Sequence, residues 1–93
     1  MWYYIFMVKL IDFYAEWCGP CKIMEPIFTV LKSQYKDKVE FISIDVDKNM
    51  KEASKYSVMS IPTFILEKDG KEIDRKTGSM PKEALESLIN SNI

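Results

Sequence analysis

The sequence predicts an α/β fold, a mixed four-stranded sheet flanked by three helices, in a single domain spanning residues 1–93. Three observations predict it. Apolar, β-branched segments alternate along the chain with a segment of helical period, the pattern of strands joined through helices. Two such segments near the C-terminus are separated only by Lys68-Asp69-Gly70-Lys71, a hairpin signal. A 93-residue chain that is 47% hydrophobic and 29% charged has the make-up of one small globular unit. At that length it buries roughly two-thirds of its unfolded surface and folds without staples.

The elements follow in order. Val8 to Tyr14 is apolar apart from Lys9 and Asp12, as a central strand covered on both faces requires. From about Gly19 to Tyr35, Ile23, Ile27, Val30 and Leu31 recur at helical spacing, with Lys22, Lys32 and Gln34 away from that stripe. Pro26 falls inside this helix, removes a backbone donor and is expected to kink it. Val39 to Val46 is β-branched and apolar, a second strand. Asp45 and Asp47 end it, and either is a candidate cap for a short helix from Lys48 to Tyr56. Pro62 to Glu67 and Glu72 to Thr77 are the arms of the hairpin. Ser79 is the expected N-cap of the last helix, with Pro81 in its first turn and Leu85, Leu88 and Ile89 along one face. The first two strands, joined through a helix, should be parallel with a right-handed crossover. The last pair must be antiparallel, because a short turn cannot carry a parallel crossover.

Composition narrows the function. A formal charge of −1 offers no electrostatic case for nucleic acid or an anionic membrane as partner. The N-terminal run Trp2-Tyr3-Tyr4-Ile5-Phe6-Met7-Val8 lacks the preceding basic residue and the cleavage site of a secretory signal, and is too short to span a bilayer. These features point to a cytoplasmic protein, whose thiols a reducing compartment keeps as thiols.

Both cysteines lie in Trp17-Cys18-Gly19-Pro20-Cys21, between the first strand and the first helix. Two thiols at this spacing close a tight ring and hold or release two electrons, so the motif reads as a dithiol redox site. Zinc is a weaker reading, because it wants four ligands and the chain has no histidine; two carboxylates, or a second subunit in a metal-bridged dimer through two such pairs, would have to supply the rest. No metal and no cofactor are expected beyond a reversible Cys18–Cys21 disulfide. Cys18 stands at the helix start, where unpaired amides and the helix dipole favour a thiolate. Pro20 suits the first turn. Cys21, one turn further in, should be the less exposed sulfur. Cys18 therefore attacks a substrate disulfide, and Cys21 resolves the mixed disulfide.

Two further residues stand out. Asp12 sits mid-strand between Ile11 and Phe13, where a carboxylate is costly unless paired or protonated. Either it lies beneath Cys21 as a proton acceptor or it reaches water at the strand end; spacing does not separate the two. Ile61-Pro62 opens a strand, and its peptide bond is cis or trans; base rates favour trans.

The stretch Asp12-Phe13-Tyr14-Ala15-Glu16-Trp17-Cys18-Gly19-Pro20-Cys21-Lys22 closely resembles the thioredoxin family, and the match continues through Pro26, Asp45-Val46-Asp47, Tyr56, Ile61-Pro62-Thr63, Gly70 and Gly78. The resemblance implies a thioredoxin-like fold and a protein-disulfide reductase that acts on disulfide-containing proteins and is recharged by a thioredoxin reductase. It implies that Asp12 is the buried proton acceptor, and that Pro62 is cis and packs against the dithiol. It implies that the Ile61 backbone pairs with a substrate strand. Trp17, Gly78 and the loop of Ser60 then form the docking rim, beside Gly19 and Pro20 of the motif.

Two departures qualify the match. Many thioredoxins carry a lysine where this chain has Ser43, so Asp12 should be harder to ionise. The family also begins with an extra strand and helix, whereas only seven residues precede Val8 here. Trp2, Tyr3, Tyr4, Ile5 and Phe6 then cover the sheet from within, lengthen the first strand, or form a self-association patch. Internal cover, and hence a monomer, is the favoured reading. Rival functions are a disulfide oxidase or isomerase domain with the same chemistry, and a non-catalytic binding module on the same scaffold.

Overall fold

The computed structural model describes residues 8–93. The elements are β1 (Val8–Tyr14), α1 (Gly19–Gln34), β2 (Glu40–Asp45), α2 (Met50–Lys55), β3 (Thr63–Lys68), β4 (Lys71–Thr77) and α3 (Lys82–Asn90). The expected mixed sheet is present, with strand order β2-β1-β3-β4. β1 pairs parallel with β2 and antiparallel with β3, and β3 pairs antiparallel with β4. The hairpin turns at Asp69 (φ 54°) and Gly70 (φ 82°), two successive left-handed residues. That is the backbone of a type I′ turn, whose twist matches the flanking strands. The expected role of residues 2–6 as sheet cover or dimer patch falls outside the described residues. Among those residues no helix is long and apolar enough to cross a membrane.

Strand alternation divides the core between the two faces of the sheet. Leu10, Phe64 and Leu66 meet Met24, Phe28 and Leu31 of α1 and Leu85, Leu88 and Ile89 of α3. Ile11, Phe13 and Ile65 face the other way, against Tyr56, Val58 and Ile61. Phe28 joins strand and helix layers, edge-on to Phe41 at 5.2 Å and tilted against Phe64 at 6.2 Å between ring centroids. The polar groups buried on the second face are paired: Tyr56 donates its hydroxyl hydrogen to Glu67. That bond and the surrounding carboxylates push the Tyr56 pKa up to about 12.

Three local expectations are corrected. Of the expected stripe on α1, Leu31 is buried and Ile27 packs against the core, but Ile23 is 63% and Val30 47% exposed, and Cys21, Met24 and Phe28 complete the buried side. Both sets have helical spacing; docking onto the sheet selects the one that turns Cys21 inward. Neither Asp45 nor Asp47 caps α2, which starts at Met50 after Asn49. Asp45 Oδ1 instead accepts the Asp47 N–H at 2.9 Å, and Asp47 Oδ2 is taken up by Trp17. Ser79 does not cap α3, and Pro81 is its N-cap residue and not part of its first turn. Pro81 is itself extended (φ −67°, ψ 156°), and a proline disfavours helical backbone in the residue before it, Met80, whose N–H donates to Met24 Sδ at 3.3 Å. α1 itself runs through Pro26 without ending.

Candidate active site

β1 delivers the chain to a turn closed by the Cys18 N–H and the Ala15 carbonyl at 3.2 Å, and α1 starts directly afterwards. Cys18 is the N-cap residue (φ −83°, ψ 112°), and its Sγ accepts the Cys21 N–H at 3.1 Å. The sulfur thus takes the place of the oxygen of a serine or aspartate cap, against amides that lack helical partners. The same amides and the positive end of the helix dipole stabilise negative charge on it once reduced. Cys18 and Cys21 form a disulfide with Cα atoms 5.2 Å apart, an ordinary span for that bond.

Exposure does not rank the two cysteines as expected: both residues are buried, Cys18 at 3% and Cys21 at 7% exposed. Joined as a disulfide, both are covered by Tyr14, Ala15, Val46 and Ile61. What separates them is the cavity each lines. Cys18 lines a groove of about 510 Å³ with Trp17, Gly19 and Pro20 on one side and Ser60 and Ile61 opposite. Val46, Ala53, Val58 and Met59 complete its apolar wall. Cys21 lines a second, more polar cavity of about 650 Å³, which it shares with Asp12, Glu25 and Ser43.

The rim of the groove is held by polar contacts. Trp17 is 70% exposed, and its indole N–H donates to Asp47 Oδ2 at 2.8 Å. The nearby Glu16–Lys48 pair, 3.8 Å apart and mostly solvated, contributes little. The Ile61–Pro62 peptide is cis, as the family resemblance implies and against the base-rate expectation of trans. Ile61 packs against the cysteines. The Ser60 carbonyl accepts from Thr63 Oγ1 at 2.6 Å, and the Pro62 carbonyl accepts the Gly78 N–H at 2.8 Å. Gly78 has φ 96°, a backbone state that favours glycine. Trp17, Gly19, Pro20, Ser60 and Ile61 line the groove; Pro62 and Gly78, which the resemblance puts against the dithiol and on the rim, are bonded to each other and are not among its lining residues.

Asp12 is 7% exposed, and its Oδ1 has no hydrogen-bond partner among the described residues. Burial pushes its pKa up to about 7, and the negative charge of Glu25 adds to the rise. Of the two alternatives for Asp12, a buried carboxyl beside the dithiol is the one found; the solvated strand end is not.

Sequence reasoning missed Glu25, Asp47 and the Val46, Val58 and Met59 wall. Glu25 had a signal, since it follows Cys21 by one helical turn. Met59, 93% exposed, had none, because the groove exists only once the loop after α2 faces the start of α1.

Comparisons with known proteins agree with this geometry. The family model described as Thioredoxin matches residues 7–91. The thioredoxin of Bacillus subtilis (strain 168) is 46% identical over 86 residues, which cover 92% of this chain and 83% of the relative. Among solved structures, the thioredoxin of Fasciola hepatica superposes with a TM-score of 0.87 at 41% identity, covering 92% of this chain and 81% of its own. Oxidised mitochondrial thioredoxin 3 from Saccharomyces cerevisiae gives a TM-score of 0.85 at 43% identity, with 92% and 79% covered. Likeness of this extent in both sequence and backbone, running through the dithiol turn itself, is kinship and not a shared motif: the chain belongs to the thioredoxin family and is a protein-disulfide reductase, a thiol-disulfide oxidoreductase.

Proposed function

We propose that Cys18 is the attacking thiol of this reductase, Cys21 the resolving thiol, and Asp12 the acceptor of the Cys21 proton. The observation that carries this division is the pair of unlike cavities flanking the dithiol, one apolar and reaching Cys18, the other polar and joining Cys21 to Asp12. An extended protein segment docks in the groove formed by Trp17, Gly19, Pro20, Ser60 and Ile61, with the Ile61 backbone as its pairing partner and Pro62 and Gly78 as supports. The Cys18 thiolate then attacks a substrate sulfur, forming a mixed disulfide and expelling the other substrate sulfur as a thiolate, which takes up a proton. Asp12 removes the proton from Cys21, and the resulting thiolate attacks Cys18 Sγ. The substrate leaves as a dithiol, and both electrons it received come from the cysteine pair, which is left as the disulfide.

The cycle needs no cofactor or metal on this chain, only an external dithiol donor, for which a thioredoxin reductase is the natural candidate. A monomer in the cytoplasm is the setting that suits a thiol reductant. Reduction of a model protein disulfide under a dithiol reductant tests the assignment. Catalysis by the wild type and none by Cys18→Ser is expected; equal turnover by both proteins would refute it.

A further inference from the structure

The cavity behind the dithiol contains a second carboxylate that the cycle above does not use. Along α1, Cys21, Glu25, Thr29 and Lys32 all line that cavity, a single helix face at helical spacing. Glu25 is exposed at one turn from Cys21, while Asp12 is nearly closed off from solvent with an unpartnered oxygen. A polar space of about 650 Å³ between a buried carboxyl and an exposed one has ample room for bridging water.

We infer that Glu25 is the outer station of a proton path that runs from Cys21 through Asp12 to bulk solvent. It is a positioning residue that acts through Asp12 and touches neither substrate nor sulfur, and the inference rests on Asp12 being the proton acceptor. A buried acid that has accepted a proton must release it before the next turnover, and Asp12 has little direct access to water. Glu25 receives that proton at the surface. Between turnovers its negative charge makes Asp12 the stronger base.

The surrounding charges leave this effect to Glu25. The end of β1 and the following turn contribute Tyr14 and Glu16 to the cavity, and α1 contributes Lys22 and Lys32. β2 places the neutral Ser43 in register with Asp12, and β3 places Phe64 there. Glu25 is the carboxylate whose charge bears on Asp12.

The test follows resolution of the mixed disulfide with a model protein substrate from roughly pH 5 to 9, in the wild type, Glu25→Gln, Glu25→Asp and Asp12→Asn. Glu25→Gln should move the acid limb of the profile down by about half a unit, a shift that added salt shrinks. It should also lower the limiting rate, which a small buffer base then restores in proportion to its concentration. Glu25→Asp should behave as the wild type. Because Glu25 is exposed, these substitutions leave the thermal midpoint essentially unchanged. If Asp12→Asn abolishes the acid limb but Glu25→Gln leaves either limb or limiting rate as in the wild type, the Glu25 path is overturned alone. If Asp12→Asn leaves the limb in place, the role of Asp12 falls first and the path with it.

Discussion

Asp12 and Ser43 are register partners across the parallel ladder of β1 and β2, and both line the cavity behind Cys21. No positive charge stands at position 43 to offset the burial of Asp12, whose pKa lies at about 7. Ser43 is exposed on an edge strand of the described sheet, so a longer side chain fits there. Ser43→Lys is therefore expected to lower the Asp12 pKa by roughly one unit or more, as an ammonium beside a carboxylate does. Carboxyl NMR titration of both proteins measures it, and equal values would sink the idea.

The same burial makes stability depend on pH. Between the ordinary carboxylate value of 3.8 and about 7, folded Asp12 holds a proton that the unfolded chain has released. Its contribution is thus complete below 3.8, declines as pH rises through that window, and levels off above about 7. The total loss through this group is on the order of 4 kcal/mol. Asp12→Asn should flatten the decline in denaturant unfolding measured at acid and neutral pH. A slope unchanged by the substitution would show that Asp12 is not the responsible group.

The division of labour between the sulfurs has a chemical signature. Cys21→Ser leaves Cys18 able to attack but removes the thiol that resolves, so a substrate-linked mixed disulfide should accumulate. Cys18→Ser should form no such adduct. Mass spectrometry of the quenched reaction reads the result; an adduct on Cys21 in the Cys18→Ser protein would reverse the assignment.

Trp17 is held over the groove by Asp47, so removing that hydrogen bond should affect docking more than folding. Asp47→Ala is expected to change stability by only about 1 kcal/mol, since both groups are solvated. The KM for a protein disulfide should rise several-fold while kcat changes little, because a less fixed indole weakens binding and leaves the thiols alone. A drop confined to kcat would place Trp17 in the chemistry instead of the docking rim.

Much of this protein is local, and local features are legible in the chain. The alternation that defines β1, the Asp69-Gly70 turn, and the Cys18-Gly19-Pro20-Cys21 helix start each depend on residues a few positions apart. Their chemistry therefore follows from neighbours in sequence: a sulfur at an N-cap, a proline where no donor is needed, a glycine where φ is positive. Ile23 and Met24 show where that reasoning stops, because two helix faces shared the same period and only the sheet decides which is buried. The cis state of Pro62, the capture of Asp47 by Trp17, and the placement of Asp12 beside Ser43 and Glu25 were likewise settled by contacts between distant segments. Charge and burial act through space. The chain alone determined that a dithiol sits at a helix start; the tertiary structure alone decided what faces each sulfur.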